Sequence, residues 1–156
     1  MDKAIIFFYY FFHGILVFQV IIFMYLYWVS KKTELFYFGL FLLLLGINFI
    51  LNSTDLYGMA AHDAFMYSPL YNFVNTPLVI LANICYILFL RKFYQGITKN
   101  KLLFVILSSL KKALWGALIV FFILYSMGII SNLLFNILHL LGIIAGVWLV
   151  IIIYRD

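Results

Sequence analysis

The chain has 156 residues, of which 68% are hydrophobic and 10% are charged, and its formal net charge is +5. Soluble domains carry roughly 25% charged residues, so the composition excludes a soluble globular protein. The length allows one domain, residues 1–156, and excludes an additional soluble catalytic domain. The single cysteine, Cys85, has no partner for an intrachain disulfide.

The distribution of charge indicates several membrane crossings. Residues 4–30 and 113–154 contain no Asp, Glu, Lys or Arg. A bilayer core about 30 Å thick is crossed by roughly 20 helical residues. The first stretch is therefore long enough for one span and the second for two.

Charge-free apolar runs predict five spans, all of them helical because a backbone in lipid must satisfy its own hydrogen bonds. The predicted fold class is all-α, a polytopic transmembrane helical bundle. The five predicted spans are residues 4–29, 35–51, 74–90, 113–129 and 133–154. The first has no cleavage site after it, so we expect it to remain as an anchor.

The segment 99–112 has two readings. Its apolar part, Leu102 to Leu110, is too short to span and has lysines on both sides. It is either an interfacial helix whose lysines reach anionic headgroups, or an extension of the fourth helix out of the membrane.

Loop charges predict the orientation. When loops are assigned alternately to two sides, one side receives nearly all of the cations and the other receives Lys3 alone. Because cationic loops remain in the cytoplasm, we expect the amino terminus outside and the carboxyl terminus inside. The cytoplasmic cations would be Lys31, Lys32, Arg91, Lys92, Lys99, Lys101, Lys111, Lys112 and Arg155.

Polar side chains inside the spans are the candidate functional residues, since such groups are costly in lipid. The candidates for ligand binding are His13, Asn48, Asn83 and His139. The alternative is that these side chains only form hydrogen bonds between helices. No charged residue is predicted at mid-span, which argues against a proton pump or an ion-coupled transporter.

Two glycines in the fifth predicted span, Gly142 and Gly146, form a small-xxx-small motif. Such a motif lets another helix approach closely. We expect it to serve packing within the bundle, with a homodimer contact as the alternative.

Four segments resemble bacterial seven-transmembrane receptors with diverse intracellular signalling modules. Residues 12–19 (FHGILVFQ) look like the first span of that family, and residues 34–41 (ELFYFGLF) look like the entry to its second span. Residues 55–58 (DLYG) resemble the start of its external loop, and residues 88–94 (LFLRKFY) the exit of its third span. The chain departs from the family in having five predicted spans and no output module.

The resemblance implies a membrane-embedded sensor that relays an external or intramembrane cue to a cytoplasmic output partner. His13, Asn48, His139 and the loop 57–71 would be the sensing residues. One alternative is a small accessory subunit of a larger membrane complex, and another is a haem- or quinone-binding membrane protein. No catalytic motif, metal-ligand spacing or cofactor loop is present, so we predict no enzyme activity and no cofactor. The expected partners are the lipid bilayer and another protein, and no nucleic acid.

Overall fold

A computed structural model describes residues 3–53, 69–97 and 100–128 of the chain. In these ranges every regular element is an α-helix. The helices are α1 (Lys3–Ser30), α2 (Thr33–Asn52), α3 (Pro69–Gln95) and α4 (Lys101–Ser126). All four are long and apolar enough to cross a membrane, which supports the predicted all-α membrane fold. The fifth predicted span lies outside the described residues.

The helices extend beyond the predicted apolar runs because a charge ends a hydrophobic run without ending a helix. α3 begins at Pro69, five residues before the predicted start of the span, and it continues past Arg91 to Gln95. Proline suits the first turn of a helix because its missing N–H would have no partner there.

One continuous helix runs from Lys101 onward, so the segment 99–112 continues into the fourth helix and is not a separate interfacial helix. The Asn100 side chain caps this helix, since its Oδ1 accepts hydrogen bonds from the backbone N–H groups of Leu102 at 2.9 Å and Leu103 at 3.3 Å. Lys111 and Lys112 therefore lie in the interior of α4, just before the predicted span 113–129, which itself contains no charged residue.

Each described helix packs mainly on its neighbours in the chain, so α2 lies between α1 and α3, and α4 packs on the other side of α3. Aromatic rings fill much of the α1–α2 and α2–α3 interfaces. Phe38 of α2 contacts both sides, with ring centroids 4.6 Å from Phe23 of α1 and 4.7 Å from Phe89 of α3.

The α3–α4 interface is aliphatic over most of its length. Leu107 is completely buried and, with Leu103, packs against Ile87 and Leu90 of α3. Further along, Leu118 packs in a second cluster of α3 and α4 residues. Because Leu103 meets the end of α3 and Leu118 its middle, the two helices are antiparallel.

A tight link joins α1 to α2. Only Lys31 and Lys32 separate the two helices, and Lys31 has a left-handed backbone with φ 55°. Its N–H donates to the carbonyl of Tyr27 at 2.7 Å, and its ammonium lies 5.6 Å from the centre of the Trp28 ring. The backbone bond closes the helix end, and the cation–π contact holds the lysine against the indole.

Candidate functional site: a hydrogen-bonded ring between α2 and α3

Polar side chains collect where α2 ends and α3 begins. Asn48 and Asn52 are one turn apart on α2, and Tyr71 and Asn75 are one turn apart on α3. Residues four apart lie on the same helix face, so each pair presents two polar groups to one side. Asn75 is only 4% exposed and Tyr71 9%. Tyr71 and Asn75 therefore lie inside the protein, whereas Asn52 is exposed.

The four side chains close a cycle of hydrogen bonds, which we call the amide ring (Asn48, Asn52, Tyr71 and Asn75). The Asn48 Nδ2 donates to Oδ1 of Asn75, and the Asn75 Nδ2 donates to the Tyr71 hydroxyl at 3.1 Å. That hydroxyl donates to Oδ1 of Asn52, whose Nδ2 donates to the backbone carbonyl of Asn48 at 2.7 Å. Two of these bonds cross between helices, so the ring ties α2 to α3.

Tyr71 precedes the apolar span of α3, which begins at Phe73. Burial raises the pKa of the Tyr71 phenol above its ordinary value, and the hydrogen bond with Asn75 offsets part of that rise. The phenol is therefore protonated throughout the physiological pH range and can act as the donor to Asn52.

A proline follows the ring on α3. Pro77 lies inside the helix, two residues after Asn75, and is buried. Proline has no backbone N–H, so the usual bond to the carbonyl four residues earlier, that of Phe73, is not made. The first turns of α3, which carry Tyr71 and Asn75, are thus joined to the rest of the helix with one backbone hydrogen bond fewer than in a regular helix.

The predicted site residues occupy different surroundings. Asn48 belongs to the amide ring. His13 is buried on α1, and its ring lies 6.3 Å from that of Phe49, the residue after Asn48. Asn83 is exposed and donates to the carbonyl of Val79 in its own helix at 2.8 Å. His139, Gly142 and Gly146 lie outside the described residues.

Sequence reasoning gave Tyr71 a sensing role only as the last residue of the loop 57–71, and it did not pair Asn52 or Asn75 with Asn48. The available signal was the spacing, since Asn48 and Asn52 are four residues apart, as are Tyr71 and Asn75. Two polar pairs at that spacing on consecutive helices favour a shared cluster.

The described residues contain no group of three or more His, Cys, Asp or Glu side chains that could hold a metal ion. The amide ring offers only neutral donors and acceptors. Such a set is suited to recognising small polar groups by hydrogen bonding, and its one titratable side chain is the Tyr71 phenol.

Comparisons with protein-family models, with curated proteins and with solved structures found no match to this chain. The resemblance to seven-transmembrane receptors therefore stays a prediction.

Proposed function

We propose that this chain is a membrane-embedded sensor module that relays an event at the amide ring to a protein partner at the opposite, cationic end of the bundle. The observation that carries the proposal is the position of the ring. It holds the first turns of α3 against α2, directly before Pro77, where the continuous helix lacks one backbone hydrogen bond.

The ring suits a switch because its bonds can be exchanged. A hydrogen bond between helices in a membrane contributes on the order of 0.6–2 kcal/mol, since the separated groups find other partners. A small polar molecule that inserts into the ring would release the start of α3 from α2 at a modest energetic cost. Pro77 would then absorb the movement, as a proline interruption in a transmembrane helix can do.

A set of aromatic contacts between α2 and α3 lies between the ring and the cationic end, beginning at Phe41, seven residues before Asn48. Phe41 of α2 lies 5.1 Å from Tyr86 of α3, and further along Phe38 lies 4.7 Å from Phe89. Phe89 in turn lies 5.5 Å from Phe93, which follows Arg91 and Lys92. A shift of α3 against α2 would have to repack these rings, and that repacking would move the cationic end.

In the proposed orientation the amide ring faces the outside of a bacterial inner membrane and the cationic end faces the cytoplasm. The cationic residues near that end, with Arg91 and Lys92 among them, would form the output surface. This arrangement follows from the asymmetry of loop charge.

The test measures whether the cationic end responds to the ring. Spin labels are attached to cysteines at positions 32 and 92, both exposed, in a Cys85→Ala background in nanodiscs. The label-to-label distance is compared for Asn75→Leu and for the control Asn83→Leu, whose amide bonds only within α3. We expect Asn75→Leu to shift the distance by about 2 Å, the size of known helix shifts, and the control to leave it unchanged.

Identical distances in both variants, with Asn75→Leu destabilised, would refute the relay. The ring would then serve only to hold the two helices together, and the accessory-subunit function would be favoured.

The surface of α1 favours that second candidate. Phe7, Phe8 and Phe18 of α1 are each more than 60% exposed. Large exposed rings along one helix are suited to packing against a membrane protein, although lipid can also cover them. Native mass spectrometry of the protein extracted from its own membranes in polymer nanodiscs tests this candidate. A second protein at fixed stoichiometry, lost in Phe7→Ala/Phe18→Ala, would support the accessory subunit.

A further inference from the structure

The two lysines inside α4 are the starting observation. α4 runs without interruption from Lys101 to Ser126, and Lys111 and Lys112 are its eleventh and twelfth residues. Leu103 and Leu107, which precede them, are buried against α3, and Leu118, which follows them, is buried as well. The lysine pair is therefore part of the packed bundle and does not belong to a free helix end.

The depth of the pair follows from the packing of neighbouring helices. Tyr125 of α4 lies 4.6 Å from Phe73 of α3, ring to ring, at the level of the amide ring. From Tyr125 to Lys111 is 14 residues, or about 21 Å of helix. A hydrocarbon layer about 30 Å thick that begins at the level of Tyr125 therefore extends about 9 Å beyond the Cα atom of Lys111.

Among the described residues the lysine pair has no negative partner. Within the described ranges the only carboxylate is Glu34, at the start of α2, and neither lysine forms an ion pair. Lys111 is half-buried and Lys112 is exposed. Lysine stems can lie along an apolar surface and carry the ammonium toward the membrane boundary. Each ammonium would then approach that boundary from within the hydrocarbon layer, so a phosphate that meets it lies deeper than those of neighbouring lipids.

Polar and aromatic neighbours on α4 extend this feature. Ser109 is three residues before Lys112 and is exposed, as is Trp115, three residues after it. Residues at this spacing share a helix face. Trp115 is 46% exposed, and ten residues separate it from Tyr125, or about 15 Å of helix, so it lies among the acyl chains beside the pair.

We propose that Lys111 and Lys112 bind the phosphate group of an anionic phospholipid. The headgroup of this lipid lies deeper in the membrane than the headgroups of neighbouring lipids, against the exposed face of α4. Two ammonium groups supply the charge, Ser109 supplies a hydroxyl donor, and the acyl chains lie along the apolar remainder of the helix. Phosphatidylglycerol has the required chemistry, a single phosphodiester with one negative charge. The proposal does not depend on the sensor function.

Trp115 provides the probe. The protein with Trp28→Phe and Trp148→Phe, in which Trp115 is the single tryptophan, is placed in phosphatidylcholine vesicles containing a minor fraction of brominated lipid. Bromine quenches indole fluorescence at contact, so quenching reports which lipid occupies the face beside Lys112. We expect brominated phosphatidylglycerol to quench more than brominated phosphatidylcholine at equal fractions, with a preference of about fivefold for each lysine.

Matched variants separate site binding from general charge. Lys111→Gln/Lys112→Gln should abolish the preference, and Lys111→Arg/Lys112→Arg should retain it. Lys31→Gln/Lys32→Gln removes the same charge from the α1–α2 link and should leave the preference intact. Circular dichroism of each variant shows whether the helices remain, and the arginine variant keeps the test valid if the glutamine variant does not fold.

Three results would overturn the proposal. The first is equal quenching by both lipids in the protein with all of its lysines. The second is an equal loss of preference in the two glutamine variants. The third is loss of the preference when inorganic phosphate replaces chloride at constant ionic strength, which would mean that the pair binds soluble phosphate.

Discussion

Replacement of Asn75 by leucine tests the amide ring most directly. Asn75 takes part in two of its four bonds, as acceptor from Asn48 and as donor to Tyr71. Leucine has the same branching at Cγ and can form neither bond, but its two methyl groups are larger than the amide oxygen and nitrogen. The substitution therefore removes the interhelical contact of Asn48, takes the Asn75 amide from Tyr71 and adds volume at a buried position.

The expected loss can be worked from these bonds. Interhelical hydrogen bonds in membranes average about 0.6 kcal/mol, with a maximum near 1.7 kcal/mol. Two lost bonds give about 1–3 kcal/mol. The cost lies toward the upper end because Asn75 is 4% exposed, so water cannot readily replace it as a partner.

The measurement is reversible unfolding in mixed dodecyl maltoside and SDS micelles, followed by circular dichroism at 222 nm. The control is Asn83→Leu, which removes an exposed amide bonded to its own helix, and which should change the free energy of unfolding by less than about 0.5 kcal/mol. A double-mutant cycle with Asn48→Ala isolates the bond between the two asparagines. A loss for Asn75→Leu no larger than that of the control, or a coupling energy of zero, would refute the ring as a stabilising unit.

Three further substitutions test the packing and the ends of the helices in the same unfolding assay. Leu107→Ala, at a completely buried position, should cost about 2 kcal/mol or more through the cavity it leaves, whereas Leu102→Ala, at an exposed position, should cost less than about 0.5 kcal/mol; equal losses would contradict the α3–α4 packing. Gly39→Leu should lower stability by about 1–3 kcal/mol, because a Cβ there already lies 3.3 Å from a methionine of α1, and Gly46→Leu, which meets nothing within 4 Å, is its control. Asn100→Ala removes the cap of α4 and should cost about 0.5–2 kcal/mol; replacement by aspartate, which also caps, should restore most of that loss.

Much of the fold could be predicted because hydrophobic runs are strong signals in membrane proteins. The first two described helices match their predicted spans closely, since charged or polar turns bound them on both sides. The spans predicted for α3 and α4 are shorter than the helices themselves, because a charge such as Arg91 or Lys111 ends an apolar run without ending the helix. A charge is costly in lipid, but a long side chain can reach the boundary while its backbone stays helical.

The candidate site could be predicted only in part. Asn48 was identified because an amide in a span is unusual, but its partners depend on how α2 and α3 are rotated about their axes. This rotation is set by side-chain packing, here by rings such as Phe41 and Tyr86. It cannot be predicted from apolar periodicity, because helices that are apolar on every side show almost none. Asn83 looks equivalent to Asn48 in the sequence, although the two lie in different surroundings.

The direction of the hydrogen bonds in the amide ring restricts what can enter it. One of its acceptors is the backbone carbonyl of Asn48, which can never donate, so the direction of every other bond around the cycle is fixed. A guest that inserts between any donor and its acceptor must accept on one side and donate on the other. Water, alcohols and primary or secondary amides meet that condition. Carboxylates and quaternary ammonium ions do not, so this ring distinguishes guests by the hydrogen they carry as much as by their size.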